Sequence, residues 1–157
     1  MTGCKVSIGG SGLNTASSCR FAMDQIEYPT KGVTYFGCIG SDENGDELED
    51  HLKKGNLLPQ LYRTGEAVTG ASAAVVVNGE RTLCADIGAS TKYPMSHLDT
   101  NFDSVKASKY VYAAGYFLTS NAEALLKIGA YCAEVNKPFV FNLAAGFIIQ
   151  FNYDEVL

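Results

Sequence analysis

The chain has 157 residues, 46% of them apolar, and a formal net charge of −5. This length and composition exclude global disorder and allow one domain with a sizeable core. Acids and bases are mixed along the chain without a basic stripe, which excludes an extended nucleic-acid surface.

The elements alternate in the manner of an α/β protein. Lys5–Ile8 reads as a short strand running into Gly9-Gly10-Ser11-Gly12. Leu13, Ala16, Cys19, Met23 and Ile26 then recur at helical spacing, so a buried helix follows the glycines. Val33–Ile39 is β-branched and aromatic, as a buried strand is. The turn-rich loop Gly40–Gly45 opens a helix over Asp46–Lys54. Acids in its first turn, Lys53 and Lys54 in its last and Gly55 beyond match the helix dipole and C-cap preferences.

From Pro59 to Asp86 the character changes. Ala71–Val77 and Arg81–Ala85 flank Asn78-Gly79, a strong hairpin signal, and the stretch reads as a small antiparallel subdomain. A strand over Tyr110–Ala114, a helix over Asn121–Val135 and a strand over Phe139–Leu143 follow. Gln150–Leu157 begins a further helix and stops inside it, so the chain is expected to be a piece of a longer domain. The longest apolar stretch, Ala71–Val77, is far too short to span a bilayer. Cys4, Cys19, Cys38, Cys84 and Cys132 are scattered, mostly in apolar runs, with no C-x-x-C pair, and only two histidines accompany them. A reduced, cytoplasmic protein without a structural metal is expected.

The segment Gly9–Thr15 is open to several readings. It fails the dinucleotide fingerprint, because Thr15 stands at the third glycine, and it lacks the Gly-Lys-Ser/Thr end of a nucleotide-triphosphate loop. A tight turn is one alternative. Close backbone approach to a ligand, with Ser11 and Asn14 presenting polar groups, is another.

Several segments together carry a resemblance. Gly9-Gly10-Ser11-x-x-Asn14 followed by a small residue is similar to the first signature of the ribokinase (PfkB) family of carbohydrate and nucleoside kinases. Val33–Gly45 resembles the strand and Gly-x-Asp-x-x-Gly loop that come next in that family. Ser11 after the glycine pair, Thr69-Gly70, Ala114–Thr119 and Phe141–Ile148 resemble the adenosine kinase branch. The similarity runs the length of the chain but covers a little under half of a full family member. Gly146 stands where that branch usually has proline, and Ser72 where some members have cysteine.

The resemblance implies part of a ribokinase-like three-layer α/β/α domain with a small β lid, about residues 57–88 forming most of that insertion. It implies transfer of the γ-phosphoryl group of ATP to the 5′-hydroxyl of adenosine in purine salvage, with ATP and Mg²⁺ serving the full-length enzyme and a monomeric state. Gly9, Gly10, Ser11 and Asn14 would lie along the ribose; Leu83 and Ala85 would contact the nucleoside from the lid and Arg81 would reach the phosphates; Phe117 and Phe147 would pack around adenine. Taken singly, Phe117 and Phe147 read as core residues, Arg81 as a solvated charge and Asp42 as a helix cap. The joint occurrence of the segments favours the functional reading.

The family's Gly-Ala-Gly-Asp base motif is absent from the sequence, and no Asn-x-x-Glu magnesium motif occurs in the right context. No catalytic residue is therefore assigned, and the chain alone is expected to bind without catalysing. Another nucleoside or sugar kinase of the same family, or a non-catalytic ligand-binding protein, are the competing readings.

Overall fold

The computed structural model describes residues 4–28 and 32–152. Its strands form three two-stranded ladders. In the first, β1 (Val33–Gly40) leads through α2 (Glu43–Lys54) to β2 (Leu57–Thr64), which lies parallel to β1 from the Val33–Leu57 pair to the Gly40–Thr64 pair. In the last, β5 (Val111–Ala113) leads through α5 (Leu118–Glu134) to a parallel β6 (Phe139–Phe141). These are two βαβ units, each using its helix as the crossover that a parallel pair requires. The antiparallel hairpin of β3 (Ala71–Val77) and β4 (Glu80–Asp86) comes between them in the chain. Short helices α3 (Met95–Thr100) and α4 (Phe102–Ala107) return the chain to β5.

Local chemistry explains the ends of these elements. Asp42 is extended, and its carboxylate accepts the Gly45 N–H at 2.8 Å, so it caps α2. Beyond α2 the left-handed position is taken by Asn56 (φ 53), not by Gly55 (φ −80). Asn78 (φ 51) and Gly79 (φ 85) are both left-handed, the turn that a two-residue hairpin prefers. Asn121 breaks the helical backbone within α5, and its side-chain oxygen receives the Ala124 N–H at 2.9 Å. The regular part of α5 therefore starts at Asn121, as its spacing suggests.

Three apolar clusters hold the body together. Leu13, Leu52 and Leu57 join α1 (Ser11–Gln25) to α2 and β2. Tyr93, Leu98, Val105 and Ala124 form the second, with Phe36 and Cys38 of β1 against it, so it binds one βαβ unit to the other. Leu118, Leu125 and Ile148 seat α5 against α6 (Gly146–Phe151).

Several expectations are corrected. Lys5–Ile8 forms no strand; Cys4–Gly10 has no regular secondary structure and no ladder partner among the described residues. The buried stripe of α1 holds only at Leu13, while Ile26 is 70% exposed, because α1 packs on β1 and β2 near its start alone. Residues 59–86 are not one antiparallel unit: Leu57–Thr64 pairs parallel to β1, and antiparallel pairing is confined to Ala71–Asp86. The last helix starts at Gly146, earlier than Gln150, and residues 153–157 lie outside the described residues.

Candidate functional site

The glycine turn sits at the start of α1. Gly10 (φ 118, ψ 141) adopts a backbone that L side chains rarely take, and its carbonyl accepts the first helical bond, from the Asn14 N–H at 2.8 Å. No side chain caps this end of α1, and Gly9, Gly10, Ser11 and Asn14 are exposed. The free N–H groups of the first turn and the Ser11 and Asn14 side chains are thus available to an external polar group.

One turn further on, Thr15 ties this region to the second βαβ unit. Its Oγ1 lies 3.5 Å from the Tyr112 hydroxyl on β5, which in turn receives a bond from Asn142 Nδ2 at 2.8 Å. Asn142, just after β6, uses its Oδ1 to accept the Gly115 N–H at 2.9 Å. The amide orientation is fixed by this contact, since a backbone N–H can only face the oxygen. Gly115 is buried, and a Cβ there would meet the Asn142 carbonyl oxygen at 2.5 Å. The loops after β5 and β6 are therefore locked together at the carboxyl ends of two parallel strands, where α/β folds commonly bind ligands.

Two aromatic rings stand exposed on these loops. Tyr116 and Phe147 are 44% and 53% exposed, with ring centroids 6.3 Å apart. Phe117, expected beside the base, instead faces inward, edge-on to Tyr93 at 5.3 Å and between two core clusters. The short 3-10 turn Gly115–Phe117 rotates the exposed position onto Tyr116. Tyr116 and Asn142 carry no signal of their own in the sequence, since nothing local distinguishes adjacent aromatics or marks the asparagine.

Arg81, Leu83 and Ala85 share one face of β4 and are exposed, opposite Val76, Ala74 and Ser72 in register. Arg81 has no ion-pair partner among the described residues. The structure does not bring these three into contact with the glycine turn. An open depression of about 450 Å³ lies instead at the foot of the hairpin, lined by Asp42, Asn44, Thr69 and Asp86 among others. A second, of about 480 Å³, lies between Arg20, Lys53 and Pro59. Neither is lined by the glycine turn or the aromatic pair.

Among the described residues no group of three or more His, Cys, Asp or Glu side chains could hold a metal ion, and no helix is long and apolar enough to cross a membrane.

Two βαβ units carrying a glycine turn, a pair of exposed aromatics and a projecting hairpin make up an α/β domain. The chain belongs to the pfkB family of carbohydrate kinases, whose model matches residues 2–157. It is similar to the adenosine kinase of Dictyostelium discoideum, 31% identical over 150 residues, which are 94% of this chain and 43% of that protein. Among solved structures it is similar to Anopheles gambiae adenosine kinase in complex with a diadenosine tetraphosphate, with TM-score 0.86 and 27% identity over 94% of this chain and 44% of that one. Schistosoma mansoni adenosine kinase in complex with adenosine, in an occluded loop conformation, matches with TM-score 0.85 and 30% identity over 94% of this chain and 42% of that one. The chain thus spans less than half the length of these relatives. The fold is ribokinase-like α/β.

Proposed function

We propose that this chain carries the nucleoside-recognition part of an adenosine kinase, the enzyme that transfers the γ-phosphoryl group of ATP to the 5′-hydroxyl of adenosine. The observation that carries the reading is the Tyr112–Asn142–Gly115 network, which fixes the loop bearing exposed Tyr116, with the Thr15 Oγ1 of the glycine-turn helix 3.5 Å from the Tyr112 hydroxyl. A polar cradle and an aromatic platform are what a ribose and a purine base require. Gly9, Gly10, Ser11 and Asn14 hold the sugar, where missing hydroxyls would leave polar groups unpaired. Tyr116 and Phe147 receive the base, and base–aromatic stacking contributes roughly 1–3 kcal/mol per base. Phe117 supports Tyr116 from the core side. The hairpin acts as a lid, with Leu83 and Ala85 meeting the nucleoside and Arg81 the phosphates. The adenosine held by the Schistosoma relative supports the choice of ligand.

ATP and Mg²⁺ belong to the full-length reaction, in purine salvage and in the cytoplasm, with a monomeric enzyme. The purified chain, given ATP, Mg²⁺ and adenosine, is expected to release no ADP, and to bind adenosine more tightly than inosine and ribose. Adenosine-dependent ADP release by the chain alone would overturn the division of labour. Equal binding of ribose would favour a sugar kinase of the same family.

A further inference from the structure

The Gly-x-Asp-x-x-Gly loop and the Thr69-Gly70 pair have no ligand role above, yet they meet. The Asp42 carboxylate that caps α2 also accepts the Thr69 N–H at 2.6 Å and the Thr69 hydroxyl at 2.6 Å, 27 residues away. The same hydroxyl oxygen accepts the Gly40 N–H at 2.9 Å, and Thr69 is only 5% exposed. Arg63, at the end of β2, donates to the Gly40 carbonyl at 3.1 Å and pairs with Asp46 and Glu49 of α2, each at 2.9 Å.

The packing leaves no room for drift. A Cβ on Gly40 would lie 2.6 Å from both Asp42 Oδ2 and the Thr69 nitrogen, and one on Gly45 would lie 2.5 Å from the Gly40 oxygen. The returning strand is gripped as well: the Ala89 N–H donates to the Val68 carbonyl at 2.8 Å, and a Cβ on Gly70 would lie 2.8 Å from the Ile87 oxygen. Beyond this clamp every residue of β3 and β4 is exposed. The hairpin is an arm held at its root.

We propose that Asp42 is a positioning residue whose bonds to Thr69 set the angle at which the β3–β4 hairpin, with Arg81, Leu83 and Ala85, leaves the body. The ligand the hairpin meets rests on the nucleoside reading above; the clamp itself does not. An Asp42→Asn change can keep an oxygen for Gly45 and the Thr69 hydroxyl, but puts an N–H₂ group against the Thr69 N–H. The cap survives, and the tether loses its bond to the Thr69 backbone. Thr69→Val removes the hydroxyl at nearly constant shape, and Thr69→Ser keeps it.

The chain carries its own reporters. Cys84 on β4 and Cys19 on α1 are exposed, while Cys132 is buried and burial pushes the Cys38 thiol up to about 11. Cys84 lies on the opposite face of β4 from residues 81, 83 and 85. In a Cys4→Ser background, spin labels on Cys19 and Cys84 report the hairpin's angle without adenosine. A narrow distance distribution is expected for the parent and for Thr69→Ser, and loss of that narrow peak for Thr69→Val and Asp42→Asn. Circular dichroism establishes that each variant measured is folded. An unchanged distribution in a folded Thr69→Val or Asp42→Asn chain overturns the proposal, as does a Thr69→Ser chain as broad as Thr69→Val. Adenosine titration of the same variants separates this result from the nucleoside reading: a broadened hairpin with no adenosine binding in the parent upholds the clamp and rejects the ligand.

Discussion

Replacing Asn142 with alanine removes both bonds that lock the loops after β5 and β6. The Gly115 N–H, on a buried residue, loses its side-chain acceptor, Asn142 Oδ1 at 2.9 Å. An unsatisfied buried donor costs about 1–3 kcal/mol. The bond from Asn142 Nδ2 to Tyr112 is exposed, so water replaces most of it, and its loss contributes at most about 1 kcal/mol. The expected destabilisation is therefore about 1–4 kcal/mol, read as a lower urea midpoint at unchanged slope. Adenosine binding weakens in parallel, because Tyr116 follows the glycine that the bond anchors. Asn142→Asp is the control: one carboxylate oxygen still accepts the Gly115 N–H and the other accepts from the Tyr112 hydroxyl, so it stays close to the parent. An Asn142→Ala chain within about 0.5 kcal/mol of the parent, the ordinary scatter of surface changes, refutes the reasoning.

Three further outcomes follow from particular residues. Gly146→Pro stabilises the chain by about 0.4–1 kcal/mol, measured as a raised urea midpoint, because Gly146 opens α6, has open space at its Cβ and follows an extended Ala145 (φ −146, ψ 155). A thiol reagent at neutral pH modifies the exposed Cys4, Cys19 and Cys84 rapidly, whereas buried Cys132 and half-buried Cys38, whose thiol burial pushes up to about 11, react slowly until the chain unfolds; five fast thiols in the native chain would contradict the described core. Bonds from Thr69, then Gly45, lower the Asp42 carboxyl below its ordinary 3.8. The stability it contributes is present above that value and is lost as pH falls through the lowered folded value, so the Cys19–Cys84 label distance stays narrow at pH about 6 and broadens only once the pH has fallen below the ordinary carboxyl value.

How much of this was legible depends on how local each signal is. The β3–β4 hairpin and α2 announce themselves because Asn78-Gly79, Asp42 and the terminal lysines act on their immediate neighbours. β2 is different: Pro59, Gln60 and Arg63 interrupt its apolar pattern, and its partner β1 is joined to it through a helix, so parallel pairing leaves no short-range trace. Pro59 is tolerated because this pair has no further strand among the described residues. The choice between Tyr116 and Phe117 turns on one 3-10 turn, and the Asp42–Thr69 clamp spans 27 residues. The glycine turn and Phe147 stand out in the sequence only as members of a joint pattern. Each taken alone reads as punctuation or core.

Calorimetric titration of the intact chain with adenosine, beside the same titration with ribose, tests the central claim most directly. The account predicts saturable one-to-one binding of adenosine and much weaker binding of ribose, since the sugar alone forgoes the Tyr116–Phe147 platform. Absence of adenosine binding, or equal affinity for ribose, would contradict it.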